Sequence, residues 1–257
     1  MSDLSGSTSH APIRLRTRWD DCDRNGHVNN AVFAALIRAA HQRAELPAGR
    51  LRALTINYRE PVGPDTELEV DVTPPEEVTS HRRIAYVFRV NGRRVADAET
   101  VWHVSGPDFD VPLSRSSSDA GGRPFGFAHV VRSYEVGPDG AVGPQAILQW
   151  LEHAVFRAAA RSGWPATRMS AVGFLSLVIG HELVLGRPAA EGDEVDITSR
   201  PVEVRRVSGA WHHEVRKRDG ALVAADRARG AFLDLHGRIH PAPPELLRDL
   251  LRGEPSG

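Results

Sequence analysis

At 257 residues the chain has room for one large domain or two of ordinary size, and its 32 basic against 33 acidic side chains argue against non-specific binding to nucleic acid or an acidic membrane surface. A single cysteine, Cys22, forbids an internal disulfide and fits a reducing compartment. No apolar run reaches membrane-spanning length, and MSDLSGSTSH lacks the charged and apolar segments of a signal peptide, so a soluble, cytoplasmic protein with a loose N-terminal tail is expected.

IRLRTRW, from Ile13 to Trp19, alternates like a strand. The polar run W-D-D-C-D-R-N-G-H-V-N-N follows, and then a helix from about Asn30 to Ala44. Val32, Phe33, Leu36, Ile37 and Ala40 form a stripe too broad for a surface helix, which predicts that the sheet wraps it. Asn29 or Asn30 suits the N-cap, and Pro47 and Gly49 close the far end. Strand signals come next: LTINY, TELEVDVT, RRIAYVFRV and RRVADAETVWHV, the last two joined by Asn91-Gly92, a strong hairpin signal.

Residues 106–124, rich in Ser, Gly, Pro and Asp, read as a linker between a first domain at 11–105 and a second at 125–241, with a helix or tail over 242–257. The second half repeats the plan. FAHVVRSYEV reads as a strand, Pro144 opens a helix lined by Ile147, Leu148, Leu151, Val155 and Ala158, and Gly163 ends it. LSLVIGHELVLG, DEVDITSRPVEV, GAWHHEVRKR and LVAADRARGAFLDLHGRI then read as strands, with Asp219-Gly220 at the matching hairpin. A shift of 115 residues lays Trp19 on Tyr134 and Phe33 on Leu148. The pattern predicts an α+β tandem duplication, each half a long central helix wrapped by antiparallel strands.

The chemistry concentrates between Asp21 and Asn30. D-C-D-R-N-G matches the opening of a calcium loop, but Val32 stands where that loop needs a glutamate, and a strand precedes it in place of a helix, so no metal is expected. Cys22 sits between two aspartates, which disfavour a reactive thiolate. If residues 21–27 are extended, Asp21, Asp23, Asn25 and His27 share one side and are delivered to the N-terminus of an apolar helix, whose free N–H groups suit a developing oxyanion. Those parts suit acyl transfer. The competing reading takes Asp and Asn as turn formers and caps. It explains Asn29 or Asn30 but leaves His27 and the two aspartates unexplained.

D-x-D-x-x-G-H-V-N-N resembles the signature of hotdog-fold thioesterases, most of all the catalytic half of acyl-ACP thioesterases, whose D-x-N-x-H spacing falls on Asp23, Asn25 and His27. It is similar also to the 4-hydroxybenzoyl-CoA thioesterase branch, where D-C-D places the aspartate on Asp23. V-R-S-Y-E-V-G-P-D, residues 131–139, resembles the opening of the non-catalytic half of the acyl-ACP enzymes, so the halves stand in swapped order. The resemblance implies a double hotdog that hydrolyses an acyl-ACP or acyl-CoA thioester without a cofactor, its acyl chain in an apolar tunnel beside the first helix. Asp23 would be nucleophile or general base, with Asn25 and His27 as orienting groups and the N–H groups of Asn29, Asn30 and Ala31 as oxyanion donors. Asp21, Glu60 and Glu152 are further candidates. Glu60 stands one place before the position where the resemblance expects a glutamate, now Pro61, and Glu152 reads more naturally as a solvated or helix-pairing charge.

Under the 115-residue shift the four loop residues fall on Val136, Pro138, Gly140 and Val142, which implies one site per chain. His212 and His213 read as surface histidines, and the doublets Arg82-Arg83, Arg93-Arg94 and Arg205-Arg206 with Arg216-Lys217-Arg218 as edge-strand charges. A hotdog hydratase or dehydratase, or a non-catalytic acyl-binding or carrier-docking protein, is the alternative. Two such chains could pair into a homodimer, and neither nucleic acid nor membrane is an expected partner.

Overall fold

The computed structural model describes residues 11–73, 76–77, 80–105 and 122–252. The N-terminal tail, most of the expected linker and the last five residues lie outside them. The first half runs β1 (Ile13–Arg16), α1 (Val32–Arg43), β2 (Arg50–Tyr58), β3 (Glu67–Val72), β4 (Glu76–Glu77), β5 (His81–Val90) and β6 (Arg93–His103). The second runs β7 (Phe125–Val130), α2 (Pro144–Arg161), α3 (Ala166–Ala171), β8 (Phe174–Leu185), β9 (Glu194–Val204), β10 (Ser208–Lys217), β11 (Leu222–Asp234) and α4 (Pro244–Arg252).

All named strands belong to one antiparallel sheet in the order β1-β3-β5-β6-β2-β8-β11-β10-β9-β7, with β4 beside β5. Read from its centre, the order is mirrored: each half supplies the same succession, and the halves join where Ala53–Asn57 of β2 pair with Val184–Gly180 of β8. The Asn-Gly hairpin forms as expected, with Asn91 and Gly92 both at positive φ, as a tight turn between right-twisted strands requires.

The two long helices pack on each other and on the sheet. α1 buries Val32, Phe33, Ala34, Leu36, Ile37, Ala40 and His41, more than one stripe, because it is packed on several sides. Phe33 meets Tyr58 and Phe88 edge-on at 5.5 and 5.4 Å. Side chains of both halves, Phe88 and Ile56 with Leu148, Leu151 and Ile197, form one continuous core, and each large one adds roughly 1.5–3 kcal/mol on burial. A smaller core of Trp164, Phe174, Phe232, Ala242 and Leu246 seats α4, where Trp164 Nε1 donates to Asp249 Oδ2 at 2.9 Å.

Several expectations are corrected. α1 starts at Val32, two residues later than expected; Asn29 caps the turn that leads into it, its Oδ1 accepting the Ala31 N–H at 2.8 Å and its backbone O the Val32 N–H at 3.0 Å, while the Asn30 side chain is used elsewhere. The ends of the two N-terminal strand signals are 3-10 turns, Trp19–Asp21 and Ser133–Glu135, each closed by an acid that accepts the N–H of the arginine three residues before it. α3 carries no strong sequence signal and was unforeseen. Arg82-Arg83, Arg93-Arg94 and Arg216-Lys217 stand on β5, β6 and β10, which lie inside the sheet, and Arg205-Arg206 lie in the turn between β9 and β10, so the basic doublets are not edge charges; Arg83, Arg93 and Arg216 pair with Glu99, Glu60 and Glu214. No helix among the described residues is long and apolar enough to cross a membrane.

Candidate active site

The polar run is a tight loop rather than an extended segment. After the 3-10 turn, Cys22 bridges Val28, the N–H of Asp23 donates to His27 O at 2.8 Å, and that of Gly26 to Asp23 O at 3.0 Å. Gly26 takes φ +75, which an L side chain resists, so the D-R-N-G sequence folds back where Asp, Asn and Gly favour turning. Asp21 and Asp23 therefore part company. Asp21 is buried and caps its 3-10 turn against Arg18, a structural role in place of the expected place beside Asp23. Asp23 is exposed. Its Oδ1 accepts N–H bonds from Asn25 at 2.8 Å and His27 at 3.4 Å, and its Oδ2 accepts the Asn25 side-chain amide at 3.2 Å. Asp23, Asn25 and His27 thus meet in one turn, held by hydrogen bonds and not by a shared strand face.

The helix start offers fewer open donors than expected. The N–H of Asn29 goes to Asp21 O at 2.8 Å, and that of Ala31 to Asn29 Oδ1 at 2.8 Å. Only the N–H of Asn30 is left without a partner among the described residues. Asn29 and Ala31 accordingly act as scaffold in this geometry. The Asn30 side chain donates to Val178 O on β8 at 3.1 Å, and Tyr58 donates to Asn30 O at 2.8 Å, so both sheet halves grip this residue.

Glu152 is the candidate that the fold brings in. Its Oε2 accepts Asn29 Nδ2 at 3.0 Å, across 123 residues of sequence. It is half-buried, in place of the solvated charge expected. Burial raises its proton affinity, Asn29 and His181 oppose that rise, and the nearby charge of Asp23 adds to it. Glu60 instead pairs with Arg93 on the surface at 2.8 Å. Cys22 is held up by burial and by Asp21 and Asp23, the wrong direction for a nucleophilic thiol.

Sequence reading missed the floor of this site. His181 on β8 and Asp226 on β11 are fully buried, with His181 Nδ1 and Asp226 Oδ2 2.9 Å apart. Tyr58 lies edge-on to His181 at 6.1 Å; burial first, then Glu152 and Asp226, push its hydroxyl well above the ordinary range. His213 is buried rather than exposed, hydrogen-bonded to Ser199 at 2.6 Å. The available signal was strand parity: His181 shares the inward side with Leu183, and Asp226 with Ala224 and Ala228.

In the second half the same loop closes with other residues. Gly137 N–H to Ala141 O, Gly143 N–H to Glu135 O and the Val136–Val142 bridge repeat Asp23 to His27, Asn29 to Asp21 and Cys22 to Val28. The loop offset is therefore 114, one less than 115, and Asp21, Asp23, Asn25 and His27 correspond to Glu135, Gly137, Asp139 and Ala141. The positions of Asp23 and His27 thus carry no carboxylate and no imidazole there. An open cleft of about 220 Å³ lies against this second loop, lined in part by Ala35, Arg38 and Gln149, and Arg38 of α1, which corresponds to Glu152 at this offset, bonds Asp139 of the loop at 3.3 Å.

Residues 6–104 match the acyl-ACP thioesterase C-terminal domain, and residues 146–224 match the thioesterase superfamily. A conserved protein with the hot dog fold from Alicyclobacillus acidocaldarius superposes with a TM-score of 0.60 at 13% identity, over 93% of this chain and 96% of that one. The chain is a tandem hotdog protein. A protein assigned as an oleoyl thioesterase from Lactobacillus plantarum shares the double-hotdog fold, with a TM-score of 0.66 at 12% identity, over 88% of this chain and 98% of that one. The chloroplast acyl-[acyl-carrier-protein] hydrolase of Cuphea viscosissima is 27% identical over 106 residues, 40% of this chain and 25% of the relative. This double hotdog thus spans about a quarter of that curated relative. The match to the acyl-ACP thioesterase C-terminal domain falls on the first half of this chain.

Proposed function

We propose that this chain hydrolyses an acyl thioester, carried on acyl carrier protein or coenzyme A, within cytoplasmic fatty acid metabolism. The observation that carries the reading is the Asn29–Glu152 hydrogen bond, 3.0 Å long, which joins the first half's polar loop to the second half's helix in one composite site. The match to the acyl-ACP thioesterase C-terminal domain covers that loop.

Two carboxylates in different surroundings divide the work. Asp23, ordered by three donors from its own loop, attacks the thioester carbon; the C–S bond breaks, the thiolate leaves and takes a proton from solvent, and an acyl-aspartyl anhydride forms. Glu152, with its proton affinity raised by burial, takes a proton from the water that opens the anhydride, releasing the acid and restoring Asp23. The open N–H of Asn30 serves the oxyanion, and His27 lies on the same turn to orient substrate or water.

The test is thiol release from a chain-length panel of acyl-ACP and acyl-CoA. Asp23→Asn is expected to fold normally and lose at least a hundredfold in kcat, the order that a lost catalytic group costs. Glu152→Gln is expected to release about one equivalent of thiol per chain and then slow, with the acyl adduct visible by intact mass. Unchanged turnover in Asp23→Asn refutes the site. Consumption of an unsaturated or hydroxylated thioester without thiol release would instead show a hydratase or dehydratase, and binding without either would show a carrier-docking protein.

A further inference from the structure

The scheme above makes no use of the turn between β9 and β10 or of the segment that leads into α4. Between them lies an open cleft of about 590 Å³, with Arg205, Arg206 and His240 on its walls and Leu247 among its apolar lining. Small-molecule sites have that size and that make-up, a few polar groups set on an apolar surface. We propose that this cleft binds the nucleotide end of coenzyme A, so that the thioester reaches the site on coenzyme A and not on a carrier protein. That role rests on the thioesterase reading, whereas the binding test does not.

Backbone bonds fix the walls. The N–H of Arg205 donates to Ser208 O at 2.8 Å, which closes the turn, and that of Phe232 to Val207 O at 3.0 Å, which ties the turn to β11. Opposite, the N–H of Ala242 donates to Arg206 O at 2.9 Å and that of His240 to Phe232 O at 2.9 Å, laying the segment along the turn. Ala242 and Leu246 are buried in the smaller core, and Leu247 packs against it. Pro241, Pro243 and Pro244 stiffen this wall, so little order has to be gained when a ligand enters.

The side chains favour a phosphorylated ligand. No carboxylate lines the cleft among the described residues. Arg206 and His240 are exposed, and neither side chain has a polar partner among those residues. Arg205 meets Glu203 only at 3.7 Å and is 75% exposed. Two adjacent guanidiniums offer planar forks that match phosphate oxygens, while the prolines and Leu247 give an adenine ring an apolar surface. A carrier protein brings a prosthetic arm without a nucleotide and would leave that surface empty.

The cleft also stands where coenzyme A needs it. Val178 on β8 is level with Gly230 on β11, Gly230 with Gly209 on β10, and Gly209 with Val204 on β9. Val178 O accepts the Asn30 side chain at the start of α1, and Val204 lines the cleft. Three strand spacings of about 4.8 Å put the two roughly 14 Å apart at one end of the sheet. An extended pantetheine arm, which links thioester to diphosphate, covers that gap. The Pro-rich wall lies beyond the residues that either family match covers.

The experiment is a calorimetric titration of the full chain with coenzyme A and with phosphopantetheine, which lacks the nucleotide. Coenzyme A is expected to bind at least about tenfold more tightly, the order that charge-assisted hydrogen bonds supply. In the double variant Arg205→Gln, Arg206→Gln, whose replaced side chains are exposed, that advantage should be lost and the salt dependence of binding should flatten. The variant should also lower kcat/KM for an acyl-CoA about tenfold relative to the same acyl group on pantetheine. Coenzyme A that does not bind, that binds no better than phosphopantetheine, or that binds the variant equally well overturns the proposal. A loss confined to acyl-ACP would make the cleft a carrier-docking face and overturn it too. A chain that binds coenzyme A through these arginines yet cleaves no thioester refutes the functional reading and leaves the nucleotide site standing.

Discussion

Single side chains carry the pH dependence of this protein's stability. His213 is buried, bonded to Ser199, and its proton affinity is pushed down to about 4 from 6.5. In the unfolded chain it binds a proton from about pH 6.5 downward, whereas the folded chain resists until about pH 4. Folding stability therefore falls across that window as pH drops, by about 3 kcal/mol from this residue alone, taking about 1.4 kcal/mol per unit. His181 has the opposite sign: its raised affinity stabilises fully below the unfolded value and is lost only as pH rises, so it adds no acid slope. Denaturant unfolding of wild type and His213→Gln at intervals from pH 7 to pH 4 should show the variant lacking most of this slope. Equal slopes would mean that His213 is not held neutral. Asp23, Asn25 and His27 were legible because their spacing is a motif. His181, Asp226 and His213 were not, because one polar residue inside a strand becomes informative only once the inward face is known.

Elements rather than side chains set the shape of the polar loop, and here an assumption of extended backbone misled. Period-two spacing puts Asp21 and Asp23 on one side, yet the Asp-Arg-Asn-Gly sequence turns, and the carboxylates separate into a buried cap and an exposed acid. The same cause explains the offset of 114 against 115: helices align equally well one residue out, while the loop's hydrogen bonds admit a single register. Gly26 is the hinge of this turn, at φ +75 with open space where a Cβ would stand. Gly26→Ala should thus meet strain and no clash, costing about 1 kcal/mol of stability. A denaturant midpoint that does not move would show the loop relaxing into another turn. Activity should fall further than that cost implies, because Asp23 takes two of its three hydrogen bonds from N–H groups either side of Gly26.

At the scale of the whole molecule, duplication yields one cooperative body. Long apolar helices followed by runs of strands made the two-fold plan readable from sequence, but nothing in a strand's own residues says that β2 would pair with β8. That pairing closes the centre of the sheet and leaves β1 and β7 as its edges. The core also ignores the boundary, since Ile37, Ile56 and Phe88 share one cluster with Leu148, Leu151 and Val215. Asn30 on Val178, Asn29 on Glu152 and Arg229 on Asn57 add polar ties across the same line. A half on its own would expose an open central strand and half of a core, both unfavourable in water. Unfolding of the whole chain should therefore be a single transition, with far-ultraviolet dichroism and tryptophan fluorescence coincident along the denaturant axis; Trp102 reports the first half and Trp150 with Trp164 the second. Two resolved transitions would show that the halves are independent units and that the composite site can open while each half stays folded.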